Sequence, residues 1–336
     1  MLDILKELCA IDGTSGHEDK VREYIINHIG DNEYTVDNLG NLIVEVKGKK
    51  RAKNKVMLCA HMDEVGIIAT SILDNGMIKF ITVGGIDAAI LVGRAVRFTN
   101  GTVGIIGIKP THLSFGDAKN TVPDTDTLLI DIGCDKKADT LEFVKPGDTA
   151  VFTNNFVEMG NKLLSKAIDD RAGCAVMLSL IKQGFEYDCT CVFSVQEEVG
   201  LRGAKTATFT VNPDYAIVLE ATTAADIIDV PESESVCILG KGAAVSFMDR
   251  ATIYNPALFK KAFELAEENN IKIQPKTKVA GGNDAGSVHC SRGGVHTLTI
   301  NTPCRYIHSP SCVCDKTDLN NAMKLTKVML EHFADA

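Results

Sequence analysis

Between about Val65 and Lys162 the chain reads only as short β-like pieces, while on both sides strand-like and helix-like runs alternate. This interruption constrains the architecture more than any other feature. VGIIATSIL, MIKFITV, AVRFT, TVGIIGI, TLLIDIG and TAVFT follow one another, separated by Gly, Asn-Gly or Pro-Gly. Asn75-Gly76 and Asn100-Gly101 are hairpin signals, because tight hairpin turns need positive φ at their centre. No long helix is expected there, although Pro110–Thr121 has room for a short one. Outside this stretch, Leu2, Leu5, Leu8 and Cys9 recur at helical spacing. Thr14 or Ser15 with Glu18 resembles a capping box for a second helix running to about Ile29. Asn41–Lys47, Val56–Ala60, Thr190–Val195, Tyr215–Leu219 and His296–Asn301 read as strands. Asp170–Gln183, Leu201–Thr208, Pro256–Asn269 and Asp318–Ala334 read as helices. Such alternation implies an α/β unit with a mostly parallel sheet flanked by helices. The expected organisation is one α/β domain over residues 1–64 and 163–336, with an inserted β-barrel-like domain over 65–162.

Composition excludes several classes of function. With 45% apolar and 24% charged residues, the chain can bury a large core. A net charge of −9 argues against a phosphate-binding surface, so no nucleic-acid partner is expected. The first residues, MLDILKELCAIDG, carry Asp3 and Glu7 and lack the apolar core of a signal peptide. No apolar run approaches the ~20 residues of a membrane span. The 11 cysteines form no small-domain framework, so the expectation is a cytoplasmic protein with reduced thiols and no membrane partner.

The polar residues follow a positional rule. His61 and Asp63 come after VMLCA, Glu197 and Glu198 after CVFSVQ, Glu220 after DYAIVL, and His308 shortly after HTLTINTP. Each lies at or beyond the carboxyl end of a strand-like run, the edge where open α/β sheets bind ligands. Asp169-Asp170 opens a helix, so one of the two is expected to cap it. Taken singly, each has an ordinary reading: His61 a hydrogen-bonded structural residue, Glu197-Glu198 a solvated pair, Glu220 a turn cap. Taken together, imidazoles and carboxylates converging on one edge suit a divalent metal, zinc first among those that accept mixed N/O ligands. Two ions bridged by a carboxylate stand ~3.5–4 Å apart and lower the pKa of water from 15.7 toward ~7.

Along the chain stand "AHMDEVG" (60–66), "AIDDRAG" (167–173), "SVQEEVGLRGA" (194–204), "GGNDAGSVHCSRGGV" (281–295) and "RYIHSP" (305–310). In this order, and spanning nearly the whole chain, they resemble the M42 family of dinuclear-metal aminopeptidases. The resemblance implies a zinc-peptidase-like fold and two divalent ions per subunit, zinc or else cobalt or manganese. It implies that Asp169 bridges the ions, that His61 and Glu220 bind one, and that Glu198 and His308 bind the other. It implies Glu197 as general base and Asp63 as the carboxylate that orients the His61 ring. The substrates would be peptides, cut after their first residue. The insert would join dimers, and in some members twelve subunits form a tetrahedral particle. Many members carry Asp where Glu220 stands, so Asp226 and Asp229 remain alternative ligands.

In a strand, His61 and Asp63 share a face and Met62 points away; adjacent Glu197 and Glu198 would diverge. "AGGNDAGSVHCSRGG" suits a loop at substrate or at a subunit contact, or an ordinary Gly-rich turn, with Asp284 ordering it and His289 near the site. Cys304, His308, Cys312 and Cys314 do not have the spacing of a zinc finger, and Cys189 and Cys191 read as small apolar residues. A related metallohydrolase cutting another amide, such as an N-acyl bond or a C-terminal residue, is the main alternative. A non-catalytic scaffold would not need Glu197, and a cellulase would want the aromatic platform that 6% aromatics without Trp do not supply.

Overall fold

The fold is that of a computed structural model, which describes residues 1–109, 122–153 and 155–336. In chain order, α1 (Leu2–Ala10), α2 (Asp19–Ile26), β1 (Glu33–Val36), β2 (Leu42–Val46) and β3 (Val56–His61) come first. Then follow β4 (Gly66–Ile72), β5 (Ile78–Val83), α3 (Ala88–Leu91), β6 (Ala95–Phe98), β7 (Val103–Gly107), β8 (Leu129–Asp131), α4 (Lys137–Thr140) and β9 (Thr149–Phe152). The chain continues with β10 (Val157–Met159), β11 (Lys162–Ser165), α5 (Ile168–Gln183), β12 (Cys189–Ser194), α6 (Arg202–Val211), β13 (Tyr215–Thr223) and β14 (Ala243–Ser246). It closes with α7 (Pro256–Glu268), β15 (Ile273–Lys276), α8 (Ala285–Val288), β16 (His296–Arg305), β17 (Cys312–Asp315) and α9 (Lys316–Asp335).

Among the described residues β4 to β9 form a closed antiparallel barrel in the order β4-β5-β8-β7-β6-β9. β6 and β7 alternate more and less buried positions, because only one face of a small barrel strand is covered, whereas β9 is buried along its whole length. Ile67, Phe80, Phe98, Ile106 and Ile130 fill its interior. Asn75-Gly76 makes the β4–β5 hairpin; Gly76 has φ +83°, and a Cβ there would fall 2.1 Å from the Cys134 carbonyl oxygen. The short helix considered at Pro110–Thr121 lies outside the described residues.

The remaining strands build one large sheet, β1-β2-β12-β3-β13-β16-β17-β11-β10, with β14 and β15 beside β16. It takes up the chain again at Val157. β3 sits near its centre, parallel to β12 and β13, and is buried along its whole length. Its side chains alternate between two cores. Leu58 and Ala60 meet the layer of α1, α5 and α9; Met57 and Cys59 meet the layer of α6 and α8. Each fully buried apolar side chain of this kind is worth ~1.5–3 kcal/mol, which makes the central strands the stable reference for everything at their ends.

Three expectations need correction. The capping box does not form: α2 begins at Asp19 without a side-chain cap. Ser15 turns to Asp63 instead, and Glu18 accepts the N–H of Gly16 and of Gln196. β13 runs on to Thr223, so Glu220 lies within a strand rather than beyond one. Glu197 and Glu198 are not extended; their segment follows Gln196 at φ +56° and turns, with the Gly200 and Leu201 N–H groups donating to the Glu197 carbonyl.

Candidate active site

Register brings the polar residues together. Ser194, the last residue of β12, pairs with His61, the last of β3. β13 pairs with β3 only through Val218↔Cys59, then continues alone beside β16. Glu220 therefore lies two residues beyond the last β13–β3 pair, level with His61 at the end of β3, and its Oε1 stands 3.4 Å from His61 Nε2. Asp169 and Asp170 start α5 with non-helical backbone, joined by a cis peptide. Asp170 Oδ1 accepts the Gly173 N–H at 2.9 Å and so acts as the cap, which leaves Asp169 to face the site.

Asp169 lies between the two histidines. Its Oδ1 is 3.2 Å from His61 Nε2 and its Oδ2 is 3.4 Å from His308 Nε2. His308 Nε2 is also 3.3 Å from Glu198 Oε2. Each imidazole thus faces one oxygen of Asp169 and one further carboxylate. The opposite ring nitrogens are occupied. His61 Nδ1 lies 3.0 Å from the Asp63 carbonyl and 3.4 Å from its carboxylate. His308 Nδ1 lies 2.8 Å from the carbonyl of Gly85, in the loop between β5 and α3. A proton on each Nδ1 aims both Nε2 lone pairs at carboxylates, which is favourable only with cations, protons or metals, between them.

The charges respond accordingly. Burial and Asp169 push Glu198 up to about 8. Burial likewise raises Glu197 and Glu220 well above the carboxylate range; around Glu197 the neighbours Glu220 and Glu198 add to it against His61, and around Glu220 Asp169 and Asp170 do so. For His308 burial works downward, but Asp169 and Glu198 outweigh it and raise the ring to about 9. His61 is raised in the same way, burial being overcome by Glu220, Asp169 and Asp63. Buried Glu220 Oε2 and Asp170 Oδ2 have no hydrogen-bond partner among the described residues. One atom from each of His61, Asp169 and Glu198 falls within a 4.8 Å group, and so does one from each of His61, Asp170 and Glu220. This donor set fits a divalent cation: anionic oxygens and imidazoles, unpaired and close. The second grouping places Asp170 beside Glu220; its hydrogen bond to Gly173 ties it to the helix, and Asp169 is the better-directed donor.

Asp63 does more than orient a ring. Its Oδ1 accepts the Glu197 N–H at 3.0 Å, and its Oδ2 accepts the Glu198 N–H at 3.2 Å and the Ser15 hydroxyl at 2.6 Å. Glu18 Oε1 takes the preceding N–H, of Gln196, at 3.1 Å. Consecutive amides of the Glu197–Glu198 turn are thereby held by buried carboxylates from β3 and the N-terminal segment. Sequence reasoning missed Ser15 and Glu18; their capping pattern hid the fact that they point inward. It also missed Glu64, whose buried carboxylate meets Lys166 Nζ at 2.6 and 2.8 Å beneath the site.

A cleft of about 430 Å³ opens over these groups, lined among others by Glu197, Glu220, His308, Lys276 and Asn283. Gly281 and Gly282 also line it, so the glycine-rich loop approaches the site, whereas His289 does not line it and binds back to the Ala285 carbonyl. Asp284 is buried and accepts the Ser194 hydroxyl at 2.6 Å. Asp226 is engaged by Arg305 at 2.7 and 2.8 Å, and Asp229 is exposed; Glu220 is the acid that the structure brings to His61.

The chain is similar to known proteins over nearly its whole length. A family model described as M42 glutamyl aminopeptidase matches residues 40–325. A putative aminopeptidase of Acetivibrio thermocellus is 41% identical over 97% of this chain and 97% of its own length. A lysyl aminopeptidase of Pyrococcus furiosus is 31% identical, covering 98% of this chain and 96% of the relative. Among solved structures, an aminopeptidase from the archaeon Desulfurococcus kamchatkensis superposes with a TM-score of 0.93 at 34% identity, over 98% of this chain and 94% of that one. The Pyrococcus horikoshii TET1 peptidase, which can assemble into a tetrahedron or a large octahedral shell, gives 0.85 at 35% identity over 98% of both chains.

Proposed function

Because this chain belongs to the M42 peptidase family and is an aminopeptidase, a peptide hydrolase, we propose that its donor set holds two divalent cations bridged by Asp169. His61 and Glu220 hold one and Glu198 and His308 the other, with zinc the first candidate and cobalt or manganese the alternatives. One observation carries this reading: the two oxygens of Asp169 face the two imidazoles separately, and each imidazole has its own second carboxylate. When bound, such ions supply Lewis acidity, making water a nucleophile near neutral pH and polarising the scissile carbonyl.

The chain's own groups do the rest. Glu197 Oε2 lies 4.0 Å from His61 Nε2, at the edge of the donor set and outside its shorter contacts. It takes the proton from the attacking water and returns it to the departing amine, a transfer worth ~10²–10⁴-fold. Its position depends on the turn that Asp63, Ser15 and Glu18 brace. The acidic floor of the cleft draws the free α-amino group of a peptide, which favours cleavage after the first residue.

The division into a catalytic domain (1–64 and 163–336) and a dimerisation domain (65–162) belongs to the same proposal, although β10 and the first residue of β11, inside that second range, pair into the large sheet. One solved TET1 structure is a dodecamer and another TET1 peptidase can assemble into a tetrahedron or a large octahedral shell; these relatives support an oligomer, which we read as dimer-based and of twelve subunits. Among the described residues no helix is long and apolar enough to cross a membrane, in keeping with a cytoplasmic peptide-processing role.

The test is a peptide library and a set of amino-acid and N-acyl-amino-acid p-nitroanilides, assayed with metal-stripped protein and each metal in turn. Release of N-terminal residues only after metal addition is the expected outcome. Cleavage of acylated but not free amino-terminal substrates would replace the aminopeptidase reading with an amidase one.

A further inference from the structure

Among the described residues two lysines are 3% exposed, Lys166 and Lys276. Lys166 closes on both oxygens of Glu64. Lys276, the last residue of β15, has no such partner: its Nζ donates to the Ala280 carbonyl at 3.1 Å, and no carboxylate stands within ion-pair distance among the described residues. An ammonium has three donors, and buried charges are as a rule paired. Asp249, the strongest acidic influence on it, is already occupied by the Ala251 and Thr252 amides and the Tyr254 hydroxyl. Glu220 and Asp169 act on it more weakly than Asp249 and belong to the metal donor set. Burial holds its pKa below the ordinary lysine value, as expected of an ammonium without a close counter-charge.

Lys276 lines the cleft that Glu197 and Glu220 line, and Arg250 lines it too from an exposed position. The cleft therefore has an acidic floor at the strand ends and a basic wall. We propose that Lys276 is the specificity-determining residue of this aminopeptidase and takes the side-chain carboxylate of an acidic N-terminal residue, so that peptides beginning with Glu or Asp are preferred. This rests on the aminopeptidase reading above. A substrate carboxylate supplies the partner that the fold withholds. An apolar side chain leaves the ammonium buried and unpaired, and a basic one sets like charges together.

The experiment measures kcat/KM for Glu-, Asp-, Leu- and Lys-p-nitroanilide with metal-loaded protein, its Lys276→Met and Lys276→Arg variants, and the metal content of each. The wild type is expected to favour Glu or Asp over Leu by at least ~10-fold, and over Lys by more, given the cost of an unpaired buried charge. Lys276→Met should bring the acidic-to-leucine ratio toward one at unchanged metal content, mainly through KM, and Lys276→Arg should keep acidic substrates first. Wild-type preference for Leu or Lys overturns the inference while leaving the aminopeptidase reading intact. So does a Lys276→Met variant that loses all substrates equally, because the lysine would then only offset Glu220 and Asp169. Failure to cleave any of the four substrates overturns both readings at once.

Discussion

The Asp63 carboxylate receives the backbone N–H of Glu197 at 3.0 Å. Through its other oxygen it also receives the next N–H, of Glu198, and the Ser15 hydroxyl. Burial works to raise Asp63, but His61, Ser15 and the Glu197 amide outweigh it and hold the carboxyl below its ordinary range. It therefore stays ionised and fixes the turn that bears the proposed base. Replacing Asp63 with Ala should lower metal affinity ~10–100-fold, as losing an outer partner of a metal-binding histidine does. Excess metal should restore metal content but not kcat, because the turn remains unbraced. Full recovery of kcat with metal would confine Asp63 to orienting His61.

Glu197→Gln should lower kcat by ~10²–10⁴-fold, the usual worth of a general base. Metal content by elemental analysis should stay near that of the wild type. Turnover that survives the change would move the base elsewhere.

Removing divalent metal by exhaustive chelation should abolish turnover and lower Tm. Like-charged groups then face one another without cations, as the raised Glu198 indicates. Adding back zinc, cobalt or manganese should restore both, with a stabilisation of ~2.7 kcal/mol at a free concentration 100 times Kd. Unchanged digestion of oligopeptides after chelation would contradict a metal-dependent reaction.

Glu18 predicts a pH dependence. Burial, and then Asp63, raise its carboxyl from 4.5 to about 7. A raised carboxyl contributes stability that is present in full below pH 4.5 and is lost as pH rises through about 7. Glu18→Gln does not titrate, and its amide oxygen can still accept the Gly16 and Gln196 N–H groups that Oε1 accepts now. Its stability relative to wild type should therefore grow across that window and level off above it, within a bound of ~3 kcal/mol. Urea titrations at several pH values read the difference; a gap that is flat with pH would refute it.

Lys166→Met should cost ~3–5 kcal/mol, because it leaves the Glu64 charge buried without its closest partner. The double variant Glu64→Gln with Lys166→Met should recover part of that loss. Chemical denaturation of the two proteins compares them directly, and equal stability of the single and double variants would mean that Arg171, 3.4 Å from Glu64, already suffices.

Much of the fold was legible from local pattern. VMLCA, CVFS and YAIVL are apolar on both faces, and a strand so composed can only be central and covered. β5 and β7 of the barrel alternate over most of their length, and Asn-Gly marked two of the barrel's turns. Elements that end by tertiary pairing were less legible. β13 and β16 extend because they pair with each other as far as Thr223 and Cys304, and nothing in YAIVLEATT signals that partnership. Likewise Ser15 and Glu18 carry a capping pattern, yet buried acceptors on Asp63 and donors on Gln196 compete for them and win.

The sequence by itself determined which ligand-type groups fall on or next to the apolar strand-like and helix-like runs, since residue type and apolar runs are local properties. His61, Asp169, Glu197, Glu198, Glu220 and His308 were all named from it. Only the tertiary structure decided their distances and partners. Parallel pairing of β12, β3 and β13 sets the ends side by side, a turn rather than a strand aims Glu197 and Glu198, and Lys276 comes to the cleft from β15. These relations join residues far apart in the chain, and sheet register and burial, which no local pattern encodes, fix them.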